Sequence, residues 1–128
     1  MEVDEAVKAR DILDVLLVDS PDFARAHALR GDAARALGDL EISLAAWSRA
    51  LELDGDLHAA RLNRAILLVI RENFSAAKED LEVLVDLEEA RAEPLLQAHL
   101  LLATVLEALG DTDGARAARA RHEALKRG

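Results

Sequence analysis

The 128-residue chain sets 25 acidic side chains against 16 lysines and arginines, a formal charge of −9, and that balance argues against nucleic acid as a partner. Phosphate binding gains its free energy from counterion release at a basic face, which this composition does not offer. Cysteine is absent, which excludes disulfides and thiol chemistry, and the apolar share rests on Ala, Leu and Val with only Phe23, Trp47 and Phe74 aromatic, a bias toward packed helices.

The first helix is predicted over residues 2–19, with Val7, Leu13, Leu16 and Leu17 on one side. Ser20-Pro21-Asp22 stops it, because Pro21 restricts the residue before it and lacks an amide hydrogen. A second helix is expected over 22–37. Gly38-Asp39 ends it, Gly38 suited to a left-handed turn and Asp39 to capping a third helix over 40–53. Asp54-Gly55-Asp56 separates that helix from a fourth over 57–71, which closes at Glu72-Asn73. A fifth is expected over 74–88, fraying toward Arg91. Pro94, favoured at a first helical position, is expected to open a sixth that runs to Leu109. Gly110-Asp111 repeats the earlier break, and a seventh helix spans 112–126.

Three columns recur every 34 residues: Ala9, Ser43 and Ala77; Leu13, Trp47 and Leu81; Leu16, Ala50 and Leu84. A unit of that length cannot bury its apolar face alone and must stack on its neighbours. The positions His27, Arg30, Gly31, Ala34, Ser43, Trp47 and Gly55 resemble the tetratricopeptide repeat, whose motif runs W-x2-L-G-x2-Y, then A-x3-F, then P. A second set holds Arg61, Arg64, Ala65, Leu68, Ala77, Leu81 and Glu89. A third, displaced by four residues inserted near 92–95, holds His99, Leu102, Ala103, Leu106, Ala115 and Arg119. Ala9, Leu13 and Pro21 form a leading half repeat. The resemblance covers essentially the whole chain and departs from the motif at His27, Arg61 and His99, where the family has tryptophan. It implies an all-α solenoid of antiparallel helix pairs in one domain: a half repeat over 1–23 and repeats over 24–57, 58–91 and 96–128.

The resemblance also implies a non-catalytic scaffold whose concave groove receives a peptide or amphipathic helix. The matching groove positions of the second repeat are Leu62, Ile66, Val69 and Ile70, which helical spacing places on one face. Ala65 and Leu68 already serve the core of that helix, so it is apolar on both sides and something should cover the stripe. Leu100 and Thr104 flank it on one side, and Ala28, Asp32 and Arg35 on the other. The carboxylate clamp of some family members would fall at Ala28, Asp32, Asn63, Gln97 and Leu101, and only Asn63 fits. In the leading half repeat, Ile12, Val15 and Val18 align with Ala46, Arg49 and Glu52 and with Asp80, Val83 and Asp86. That helix is the more apolar on this side, which marks a candidate self-association surface.

Residues 116–128 carry Arg116, Arg119, Arg121, Lys126 and Arg127 against Glu123, a net +4 that leaves −13 on the remainder. Such a tail complements its own helix dipole or permits head-to-tail stacking, and the acidic body suits an apolar or basic ligand. His27, His58, His99 and His122 lack metal-ligand spacing, and Asp111-Thr112-Asp113-Gly114 lacks the remaining positions of a calcium loop. No nucleophile motif or phosphate-cradling loop is present, so neither a metal, a cofactor nor catalysis is expected. The acidic N-terminus is unlike a signal peptide, and the longest apolar run, Ala65 to Ile70, is too short to span a bilayer. A cytosolic protein without a membrane partner is expected. The alternatives to an adaptor are a self-assembling unit and a targeting module of a larger protein.

Overall fold

The computed structural model describes residues 1–128 and is all-helical, its seven helices packing in consecutive pairs. They are α1 (Val3–Asp19), α2 (Ala24–Ala36), α3 (Leu40–Leu53), α4 (His58–Ile70), α5 (Phe74–Val85), α6 (Gln97–Ala108) and α7 (Thr112–Arg127). The packing gathers into two compact units, Met1–Ala60 and Arg61–Gly128, with the division inside α4.

In the first unit α2 packs on both α1 and α3. Trp47 of α3 is fully buried against Gly31 of α2, where a Cβ would stand 2.9 Å from the indole Cε2. Only glycine lets the two backbones come this close. The indole Nε1 donates to Asp32 Oδ1 at 3.1 Å, and buried Ser43 donates its hydroxyl to the Gly31 carbonyl at 2.9 Å. Both hydrogen bonds join α3 to the same turn of α2, so the column of small residues and the column of large ones lock one pair together.

In the second unit α6 packs on α5 and α7. The repeat columns are legible in the burial: Ser43, Ala77 and Ala115 are buried, as are Gly31, Ala65 and Ala103, and Ala34, Leu68 and Leu106. Leu81 and Leu84 fill the large columns of α5, and His122 takes the later of these in α7. Arg119, expected in the column of Trp47 and Leu81, is instead exposed and paired with Glu107 of α6. A long cation gains more by reaching water and a carboxylate than by entering a core built of alanine and leucine.

The turns inside the three repeats share one hydrogen-bond pattern. Gly38 and Gly110 adopt φ of +81° and +89°, and Glu72, a non-glycine residue, adopts +59° at the matching place. In each, the amide of the left-handed residue donates three residues back, to Arg35, Val69 or Glu107. The next amide donates five back, to Ala34, Leu68 or Leu106. This double closure satisfies carbonyls that the helix end leaves open.

Three boundaries and one cap differ from the sequence reading. Helix α2 starts at Ala24, two residues late, because the chain is still leaving the Pro21 turn at Phe23. Asp39 occupies the cap position of α3 without a side-chain bond, whereas Asp111 caps α7 by accepting from the Gly114 amide at 2.9 Å. Helix α5 ends at Val85, and Glu88–Arg91 forms a 3-10 turn that seats buried Ala90. Pro94 does not open α6, which begins at Gln97; Leu95 and Leu96 are drawn into the core, and Gln97 Nε2 donates to the Pro94 carbonyl at 3.0 Å.

Two substitutions should move stability in opposite directions. Gly31→Ala forces Trp47 out of place and should cost about 1–3 kcal/mol, as overpacking does. Glu72→Gly relieves a left-handed side chain at an exposed turn and should raise stability by about 0.5–1 kcal/mol. Urea denaturation followed by Trp47 fluorescence and by circular dichroism checks both.

Candidate functional site

Helix α4 carries the aliphatic stripe, and one carboxylate fixes which way the helix faces. Asp80 of α5 is buried and accepts from Arg64 Nε at 2.8 Å, Arg64 Nη2 at 2.6 Å and Arg61 Nη1 at 3.3 Å. The fork of Arg64 meets both carboxylate oxygens, a geometry that ammonium groups cannot supply. Bonding to Asp80 holds the Arg64 guanidinium above its ordinary pKa, against the opposing effect of burial. Arg61 and Arg64 share the side of α4 that bears Ala65 and Leu68, so this ion pair turns the opposite side, with Ile66 and Ile70, away from α5.

The stripe is graded rather than uniformly open. Leu62 is 5% exposed and belongs to the core, which corrects its assignment to an open face. Ile66 and Val69 are half-buried, while Ile70 is 68% exposed at the C-terminal end of the helix. Leu67, not singled out from the sequence, is also buried. With Ala60, Leu62, Ala65, Leu67 and Leu68 all buried, α4 is packed around most of its circumference, as an apolar helix in the middle of a chain of helices must be. A six-residue apolar run carried this signal, and the spacing of four and three alone could not say which of its members stayed outside.

The flanking positions fall in both units. In Arg61–Gly128, Asn63 is half-buried beside the stripe, Leu100 is exposed, and Thr104 turns its hydroxyl back onto the Leu100 carbonyl at 3.1 Å. In Met1–Ala60, Ala28 is half-buried; Asp32 accepts from the Trp47 indole, and the Arg35 guanidinium lies 5.6 Å from the centre of the Trp47 ring. Asp32 and Arg35 are thus tied to a buried tryptophan, a role the sequence did not reveal.

Two clefts accompany these faces. One of about 320 Å³ lies beside α1, lined by Asp14, Leu17, Val18, His27 and Arg30, with Arg30 Nε bonded to Asp14 Oδ1 at 3.0 Å. The other, about 360 Å³, is lined by Arg91, Arg121, Ala124, Leu125 and Gly128. His27 bonds through Nε2 to the Pro21 carbonyl at 2.7 Å and so braces the α1–α2 turn. His99 is buried, and desolvation first, then the charge of Arg121, holds its pKa below 6.5 despite a bond to the Ala90 backbone. The matching of His27 and His99 seen in the sequence reflects repeat geometry, each ring bonding a carbonyl of the preceding segment. No group of three or more His, Asp or Glu side chains is arranged to hold a metal ion, and no helix is long and apolar enough to cross a membrane.

Because Asp80 answers two guanidinium groups that are themselves mostly buried, Asp80→Ala should cost about 2–3 kcal/mol. Asp14→Ala, which breaks the more exposed bridge to Arg30, should cost less than about 1 kcal/mol. Denaturation midpoints of the two variants measured side by side test the difference. No protein-family model matches the chain, and no curated protein matches it.

Proposed function

We propose that the chain is a non-catalytic, tetratricopeptide-like scaffold of the cytosol that binds a peptide or amphipathic helix of a partner protein along α4. The observation that carries this reading is the open end of the α4 stripe, where Ile70 is 68% exposed and continues into half-buried Ile66 and Val69. Covering an aliphatic side chain of that size is worth about 1.5–3 kcal/mol, enough for one residue to anchor a short helix. Asn63, Leu100 and Thr104, which belong to the same compact unit as the stripe, supply the polar and apolar rim. The net charge of −9 favours a basic ligand by steering its approach. The surface offers an extended aliphatic strip rather than convergent polar groups, which suits helix capture better than recognition of a chain terminus.

The test uses a panel of synthetic basic amphipathic helices with aliphatic residues at i, i+3, i+4 and i+7, titrated calorimetrically against the native chain. At least one should bind, and Ile70→Asp should weaken it about tenfold or more, with Ile66→Asp weakening it further and both variants retaining native helicity. Binding indifferent to both substitutions, or no binding across the panel, overturns the proposal. The exposed valines of α1 favour a second surface with a different occupant.

A further inference from the structure

Helix α1 exposes Ile12 at 68%, Val15 at 69% and Val18 at 80%. The repeat shows that the first of these stands in a packing column. Its counterpart in α3 is Ala46, 2% exposed in a helix packed on α2, and in α5 it is Asp80, 3% exposed and bonded to Arg61 and Arg64 of α4. The counterparts of Val15 are Arg49 in α3 and Val83, 44% exposed, in α5, and those of Val18 are Glu52 and Asp86; α1 alone carries an aliphatic residue at all three places. A solvent-facing helix gains nothing from valine at such places, where charged side chains would have served.

The rim of this face is acidic. Asp4, Glu5, Asp11 and Asp19 lie within one or two turns of Ile12 and Val15 on the same side of the helix, all exposed, against Lys8 alone. Asp11 is shared with neighbouring Arg10. A face of this sign repels a second α1, so a symmetric α1–α1 pair is disfavoured, and it attracts a basic helix.

One basic helix with a matching surface is present in the same chain. Helix α7 buries Ala115, Ala118 and His122, and its opposite side exposes Ala117, Ala120 and Ala124 at helical spacing. Arg116, Arg121 and Arg127 border that strip, against Asp113 at its first turn and Glu123 at its edge; Arg116 reaches Asp113 only at 3.7 Å in open solvent, a contact of little worth. Three alanines let a neighbouring backbone approach closely, and the branched side chains of Ile12, Val15 and Val18 are the complementary knobs.

We infer that α1 of one copy docks against the outer face of α7 of another, so that copies of this chain associate head to tail through Ile12, Val15 and Val18 against Ala117, Ala120 and Ala124. The contact is heterologous: each bound copy leaves one face of each kind free, and association continues beyond a dimer unless it closes into a ring. A single helix-on-helix contact is small, so assembly is concentration-dependent. The α4 stripe takes no part, and peptide capture and self-association stand or fall separately.

The native chain, Val15→Glu and Ala120→Glu are compared by sedimentation and light scattering up to about 1 mM, where even millimolar affinities register. Both substitutions fall on exposed helical positions that tolerate glutamate, and circular dichroism verifies the fold. The mass of the native chain should rise with concentration past that of a dimer, or to a closed ring, and each variant should remain monomeric. An equimolar mixture of the two variants should form a complex of twice the monomer mass, because the intact α7 of the first meets the intact α1 of the second. A native chain that stays monomeric, self-association that survives Ala120→Glu, or variants that fail to complement each other would each overturn the inference.

Discussion

The approach of helix backbones through small residues is the constraint on which the rest of this molecule depends. Gly31 lies against the Trp47 ring, and Ser43, Ala65, Ala77, Ala103 and Ala115 occupy the equivalent columns without a side chain large enough to separate their helices. Packing at this distance multiplies weak dispersion contacts, and it explains how a chain with only three aromatic residues fills its interior. It also restricts sequence at few places. Large residues may vary from Trp47 to Leu81 within one column, whereas the residue facing them must remain small.

Polar groups in these interfaces act as locks rather than as a general source of stability. Asp80 removes a carboxylate from water, and the attraction of Arg61 and Arg64 does little more than offset that cost. Their geometry nevertheless fixes the rotation of α4 about its axis, because a fork meeting two oxygens tolerates little turning. The equivalent column of the first repeat solves the same problem without charge: Ala46 is simply buried, and the hydrogen bond from Trp47 to Asp32 sets the register of α3 on α2. One architecture is thus held by an indole in one repeat and by an ion pair in the next.

This difference explains which parts of the structure were legible in the sequence. The seven helices and the turns at Gly38 and Gly110 were readable, because glycine past a helix end has a single dominant use. The third such turn was located at Glu72-Asn73, but its left-handed residue was hidden, since glutamate seldom adopts that conformation. The four-residue insertion was visible as a shift in the columns. Its form was not: the 3-10 turn at Glu88–Arg91 and the late start of α6 arise from burying Ala90, Leu95 and Leu96, which is tertiary packing rather than local preference. At the α4 stripe, periodicity gathered four aliphatic residues onto one face. It could not separate buried Leu62 from exposed Ile70, because both are aliphatic and only their position along the helix decides what covers them.

Exposed apolar surface is concentrated where the repeat pattern leaves a helix side without a neighbour. In α3 the outward positions carry Arg49 and Glu52, and a solvated face needs nothing more. In α1 the same positions carry Val15 and Val18, bordered by carboxylates, while Arg116, Arg121 and Arg127 border a strip of alanines on α7. Opposite charge on the two faces steers their approach and disfavours the pairing of like faces. Two surfaces of opposite charge and complementary relief, borne on different helices of one chain, are what a contact between unlike faces of identical copies requires.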